Sequence, residues 1–156
     1  MAEAADDSVT LSVDEAVAVA ELAAAYADVV PPGRDAPYRA LITAAEAGVV
    51  EGPDLPALER VCALGLETGK ARQLGRAEAE RLLIAVYRRT PGGQEQVTEA
   101  SDVNKVLAQI TGRELTSARL TWRMPGRYNL DLAVNGFALT LVIGPEGLQV
   151  QSLQTG

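Results

Sequence analysis

The chain has 156 residues, 47% of them hydrophobic and 4% aromatic, and a formal net charge of −7. This length allows one domain or two small ones, and the apolar content excludes a wholly disordered chain. The acidity argues against general affinity for nucleic acid or an anionic membrane. Without a secretory signal or a membrane-spanning apolar run, and with many Ala and more Arg than Lys, we expect a soluble, cytoplasmic, bacterial protein.

The first ninety residues predict helices. Residues 1–11 are acidic and rich in Ala, and we expect them to form a flexible N-terminus. Ser12 and Glu15 have the spacing of a capping box, which predicts a helix from about residue 13 to residue 30. Apolar residues three and four positions apart predict further helices near 36–47, 54–70 and 76–89. Short links between the four favour a helical bundle over residues 12–90.

A polar segment containing Pro91-Gly92-Gly93 follows the bundle. Its composition is typical of a linker, which we place at residues 91–100. Ser101 or Asp102 is then expected to begin a fifth helix, which Gly112 ends. The apolar residues of this helix form one stripe: Val103, Val106, Leu107 and Ile110.

The remaining sequence alternates apolar and polar residues in four runs separated by turn signals, the pattern of an antiparallel meander. Asn135-Gly136 is the strongest signal, because both central positions of a type I′ turn favour a positive φ. Residues 101–156 are therefore predicted to form a helix plus a β-meander. The fold class expected for the whole chain is α+β, an N-terminal four-helix region followed by a helix and a four-stranded antiparallel meander.

The alternation also predicts what each face of the sheet carries. One face is apolar, with Ala118, Leu120, Trp122 and Met124 in its first strand, and the fifth helix is expected to cover it. The other face is polar, and there we expect Asp131 to form cross-strand salt bridges with neighbouring arginines. The candidate partner-binding residues on this face are Arg119, Arg123, Asn129, Asp131, Gln149 and Gln151.

A second candidate surface is a basic run between the third and fourth helices. Lys70, Arg72 and Arg76 lie there, and Arg88 and Arg89 end the fourth helix. A helical nucleic-acid-binding regulator could use the 70–89 region, although the acidity of the chain argues against it. A solvated face, or a dock for an acidic protein, is the simpler interpretation.

The sequence contains few groups suited to catalysis. There is no His, and the single Cys, Cys62, lies in an apolar helical context that predicts a buried thiol. We identify no catalytic, cofactor-binding or metal-binding residues and expect no cofactor. An enzyme that lacks both His and a metal would have to use carboxylate, Arg or Tyr groups.

The leading hypothesis is a non-enzymatic protein-binding module: an adaptor, assembly factor or chaperone-like protein. It would bind another protein, or a second copy of itself, through the sheet face, a sheet edge or a helical surface. The uncharged last run, residues 148–155, is the candidate edge. The nucleic-acid regulator and the enzyme are the alternatives.

Overall fold

A computed structural model describes residues 8–74 and 78–156. It combines helices with a four-stranded antiparallel sheet, consistent with the α+β class. The chain divides into two compact units, one ending at Gln94 and the other beginning at Glu95. The flexibility predicted for residues 1–7 concerns positions outside the described ranges.

The first unit begins with a short strand, which corrects the expectation of a flexible segment through residue 11. Strand β1 (Ser8–Thr10) pairs antiparallel with β2 (Val49–Glu51). Val9 and Leu11 are buried, and the Leu11 N–H donates to the Gly48 carbonyl at 2.8 Å. The alternation in this segment is too short to predict a strand, and its partner is distant in sequence.

Helix α1 (Val13–Ala27) has the predicted capping box. The Glu15 N–H donates to the Ser12 hydroxyl at 3.3 Å, and the Ser12 N–H donates to the Glu15 carboxylate at 2.8 Å. These two bonds satisfy backbone donors that the first turn of a helix leaves without partners. We predicted that this helix ends at Val30, and it ends three residues earlier, at Ala27.

Three further helices and one short one complete this unit: α2 (Ala36–Ala47), α3 (Leu55–Glu67), α4 (Lys70–Gln73) and α5 (Ala79–Tyr87). With a helix at Pro91–Ile110, the described residues of the chain hold six α-helices, and a 3-10 helix spans Gly52–Asp54, so the four-helix description is not confirmed. Leu22, Leu41, Leu58 and Leu83 lie fully buried at the centre of the core. Gly65 in α3 lets that helix approach α1 closely, because a Cβ at this position would lie 2.3 Å from Leu22 Cδ2.

Arg89 joins the end of α5 to the beginning of the chain. Its guanidinium donates to the Thr10 carbonyl at 2.6 Å and to the Glu15 carboxylate at 2.5 Å. Burial by itself would raise the pKa of Glu15, but hydrogen bonds from Arg89 and the Ser12 amide outweigh it and hold this pKa below its ordinary value. Arg89 therefore binds strand β1 and helix α1 to α5 by side-chain contacts that sequence spacing does not reveal.

The segment that we predicted as a linker is helical. Helix α6 (Pro91–Ile110) begins at Pro91, so the start expected at Ser101 or Asp102 is wrong. The Thr90 hydroxyl accepts a hydrogen bond from the Gly93 N–H at 3.2 Å, which is the geometry of a helix N-cap. Pro is favoured directly after the cap, because the first helical residue needs no N–H donor. Thr90 and Pro91 thus start a helix in a sequence whose composition resembles a linker.

The second unit contains the meander, with strand order β3-β4-β5-β6. Its strands are β3 (Leu115–Met124), β4 (Arg127–Val134), β5 (Phe137–Gly144) and β6 (Gly147–Thr155). Gly136 has a φ of 82°, but Asn135 does not have a positive φ, so the turn lies where we predicted it and is not of type I′. Helix α6 covers part of the sheet. Its Val103 packs with Leu139 and Leu141 of β5, and its Val106, Leu107 and Ile110 pack around this cluster.

Candidate protein-binding surface

The register brings most of the predicted polar residues to one face of the sheet. Arg119 lies opposite Asp131, and Asn129 lies opposite Val142, which in turn pairs with Gln149. Residues that pair directly across antiparallel strands point to the same side. Four of the six predicted positions therefore share a face, although Val142 interrupts its polarity.

The two other predicted positions, Arg123 and Gln151, lie at irregularities of the register. After Arg123 the pairing shifts, so that Met124 lies opposite Arg127. This corrects our placement of Met124 on the apolar face with Trp122, because an extra residue in a strand reverses the side to which later residues point. An open pocket of about 330 Å³ lies at these irregularities, and it is lined by Arg123, Met124, Arg127, Val142, Gln149, Val150 and Gln151.

The polar face has hydrogen bonds rather than the expected salt bridges. Asp131 accepts a hydrogen bond from the Thr140 hydroxyl at 2.7 Å, and Asn129 Nδ2 donates to Gln151 Oε1 at 3.5 Å. Within the described ranges, no ion pair joins Asp131 to Arg119 or Arg123. Both arginine side chains are exposed.

The apolar face is only partly covered. A helix about 10 Å across covers roughly two strands that lie about 4.8 Å apart, whereas this sheet has four. Helix α6 packs on the middle of the face, where Leu139 and Leu141 are buried. A large apolar residue at one end of β3, Leu115, is 54% exposed on this face. Four adjoining apolar residues towards the other end also remain exposed: Leu120 at 61%, Trp122 at 62%, Tyr128 at 39% and Ile143 at 36%.

We call these four residues the uncovered strip. Trp122, Tyr128 and Ile143 form one row across β3, β4 and β5, and Leu120 lies in the next row on β3. The other end of the sheet differs, because the guanidinium of Arg113 lies 4.3 Å from the centre of the Phe137 ring and shields it. The strip is therefore a cluster at one corner, whereas the exposed Leu115 lies apart from it at the other end of β3.

The two edges of the sheet are not equivalent. We predicted residues 148–155, in β6, as the pairing edge, but Leu148, Val150 and Leu153 of this strand pack against the core cluster. In β3, by contrast, nine of ten residues are exposed. An edge strand of this length that exposes Leu and Trp is a ready template for another strand. The more exposed edge of the sheet is therefore β3, which we did not predict as the pairing edge from the sequence.

One residue of the basic run in the first unit, Arg72, is paired with an acidic side chain. Arg72 donates to both carboxylate oxygens of Glu80, at 2.5 and 2.9 Å, and this hydrogen bonding holds the pKa of Glu80 below its ordinary value. Lys70 lies half-buried at the beginning of α4. Arg76 lies outside the described residues. The cationic face that a nucleic-acid reader needs is therefore reduced by pairing.

Two further features of this unit bear on function. Cys62 is fully buried, as predicted, and burial raises the pKa of its thiol to about 12, so little reactive thiolate forms at neutral pH. An apolar groove of about 520 Å³ lies between the first half of α1 and the end of α2, with Val13, Ala16, Val17 and Ala20 on one wall. Its lining also includes Ser12, Glu21 and Glu46.

Within residues 8–74 and 78–156, no three Cys, Asp or Glu side chains are grouped so that they could hold a metal ion. No helix in the same ranges is both long and apolar enough to cross a bilayer. Comparisons with known protein families, with curated proteins and with solved structures give no match.

Proposed function

We propose that this chain is a non-enzymatic protein-binding module that binds its partner through the β3 edge and the uncovered strip. It would act as an adaptor, assembly factor or chaperone-like protein, and its cytoplasmic location remains a prediction. The observation that carries the proposal is the exposure of Trp122 and Leu120 on an edge strand. Trp is enriched among the residues that dominate protein interfaces, and burying apolar surface drives association.

The strip also has the layout of an interface. Its apolar residues adjoin one another at the sheet corner, and a β3 edge beside them can supply backbone hydrogen bonds. Affinity in strand addition comes from these backbone bonds, and specificity comes from the side chains on each face. Arg119 and Arg123 lie on the same strand and supply charge that can select a partner.

Affinity capture from the host extract tests this proposal when two variants of the same strand are compared. Leu120→Gln introduces a polar side chain into the uncovered strip, whereas Ser117→Gln makes a similar change at an exposed position on the opposite face of β3. We expect the wild type and Ser117→Gln to retain the same partner and Leu120→Gln to lose it. Equal retention by all three proteins, or no retained partner and no self-association, would refute the proposal.

Self-association is tested in parallel by analytical ultracentrifugation. If the partner is a second copy, the wild type and Ser117→Gln will show a concentration-dependent dimer and Leu120→Gln will not. A dimer that persists in Leu120→Gln would place the interface elsewhere and count against the uncovered strip. Circular dichroism of each variant establishes that it is folded before either assay is interpreted.

A further inference from the structure

The charges along β3 restrict what can pair with it. The strand contains Arg119 and Arg123 and no acidic residue. Both side chains are exposed, and neither forms an ion pair within the described ranges. The nearest carboxylate across the strand pair is that of Asp131, which is hydrogen-bonded to Thr140. The edge therefore presents two positive charges, that of Arg119 on the polar face and that of Arg123 at the register irregularity.

The β3 strand of a second copy is a poor match for this edge. Two β3 strands paired with each other would bring together four arginine side chains and no carboxylate from either strand. Like charges across neighbouring strands are destabilising, so this arrangement opposes self-pairing. Opposite charges would favour pairing by a comparable amount and would also speed the encounter.

We infer that the segment that occupies the β3 edge comes from a different protein and is an extended strand in which apolar and acidic residues alternate. This inference rests on the proposed function and specifies its partner. A strand added at the usual spacing of about 4.8 Å would place its apolar side chains beside Leu120 and Trp122 and its carboxylates beside Arg119 and Arg123. Period-two alternation in the partner thus matches both faces of β3 from Ser117 to Trp122, where the register with β4 is regular.

The position of Trp122 provides a direct measurement. It is the only Trp in the chain, and it lies within the uncovered strip, so its emission reports occupancy of this surface alone. The probe is a synthetic peptide in which Val and Glu alternate over about eight residues, a typical strand length. We expect a saturable blue shift of Trp122 emission in the full chain as the peptide covers the indole.

Two control peptides separate the parts of the inference. In the first, Lys replaces every Glu, which keeps the apolar pattern but reverses the charge, and we expect binding at least about 10-fold weaker. In the second, N-methyl groups block the peptide amides on the edge that pairs with β3, and we expect the blue shift to disappear. A Lys peptide that binds as well as the Glu peptide would overturn the choice of an acidic partner. Unchanged binding by the methylated peptide would overturn strand addition.

A matched pair of protein variants tests the role of the two arginines. Arg119→Gln with Arg123→Gln should weaken binding of the Glu peptide by about 3- to 30-fold, the range expected for the loss of two surface ion pairs. Arg34→Gln with Arg88→Gln removes the same charge from the first unit and should leave binding unchanged. Equal weakening by both pairs would show that only net charge matters and would overturn the inference.

The inference and the proposed function can fail separately. If the Glu peptide does not shift Trp122 emission while capture still depends on Leu120, the binding surface stands and the acidic-strand partner is wrong. A wild-type dimer that Leu120→Gln abolishes would likewise support the proposed function and overturn this inference. Loss of both Leu120-dependent capture and peptide binding would remove the two together.

Discussion

Gly92 and Gly93, in the first turn of α6, test whether this segment is a fitted helix start or a flexible connection. A Cβ at Gly93 would lie 1.8 Å from the Tyr87 carbonyl oxygen, whereas a Cβ at Gly92 would meet the Glu59 carboxylate at 2.4 Å. The first obstacle is backbone and the second is the end of a side chain that can rotate. Gly93→Ala and Gly92→Ala therefore make the same chemical change against different surroundings.

The Tyr87 carbonyl cannot move without loss of hydrogen bonds. It accepts from the Thr90 N–H at 3.0 Å and from the Thr90 hydroxyl at 2.7 Å, and Thr90 is fully buried. Breaking these bonds costs about 1 kcal/mol each, and displacing packed backbone costs about 1–3 kcal/mol. The better helix propensity of Ala returns at most about 1 kcal/mol. We expect Gly93→Ala to lower the free energy of unfolding by about 2–4 kcal/mol.

Gly92→Ala is the matched control. It perturbs the bond from the Gly92 N–H to the Glu59 carboxylate, 2.9 Å long, at a cost of about 1 kcal/mol that the propensity of Ala offsets. We expect a change in stability within about 0.5 kcal/mol. Urea denaturation followed by circular dichroism at the helical band measures both variants. If Gly93→Ala is as stable as Gly92→Ala or more so, the close approach to Tyr87 is wrong, and a flexible segment would again fit this sequence.

Three further outcomes are expected. Arg89→Met should lower the free energy of unfolding by about 1–3 kcal/mol, because it leaves the 12%-exposed Glu15 carboxylate without its cation. The control Arg88→Met, on the exposed surface, should lower it by less than about 0.5 kcal/mol. Equal losses for the two variants in urea denaturation would contradict the Arg89 contacts. The folded-state pKa of Glu15 lies below its ordinary value of 4.5, so the Glu15 carboxylate contributes fully to stability above pH 4.5 and loses this contribution as the pH falls through the folded-state pKa. The difference in the free energy of unfolding between wild type and Glu15→Gln should therefore shrink in acid. A difference that stays constant with pH would refute this coupling. Cys62 should resist alkylation at pH 8 in the native protein and react rapidly in denaturant, and rapid native labelling followed by mass spectrometry would contradict its burial.

Several features of the fold could be predicted because the signals that specify them are local. The capping box of Ser12 and Glu15 lies within four residues, and the position of the turn at Gly136 follows from a glycine that can adopt a positive φ, although the predicted type I′ conformation at Asn135-Gly136 is not formed. Alternation in the meander assigned side chains to faces, since the period of a strand is two. The assignment failed at Met124, where the irregularity after Trp122 adds one residue that no composition signal marks.

The start of α6 was predictable in principle. Thr90 and Pro91 are a cap residue and a favoured first helical residue, and this local signal stood against the composition of two glycines and many polar residues. The composition wrongly indicated a flexible linker, because Gly93 lies where a Cβ would clash with the Tyr87 carbonyl and only a glycine fits. The width of the cover over the sheet could also have been estimated, since one helix cannot span four strands.

The sequence by itself determined the local structure of this protein: helices from apolar spacing and caps, four strands from alternation, and a buried thiol from its apolar context. Tertiary structure decided what depends on residues far apart in the chain. It paired β1 with β2, brought Arg89 to Glu15, and left Leu120 and Trp122 outside the cover of α6. The physical reason is that a side chain's period fixes the face on which it lies, whereas its exposure depends on which distant element packs there.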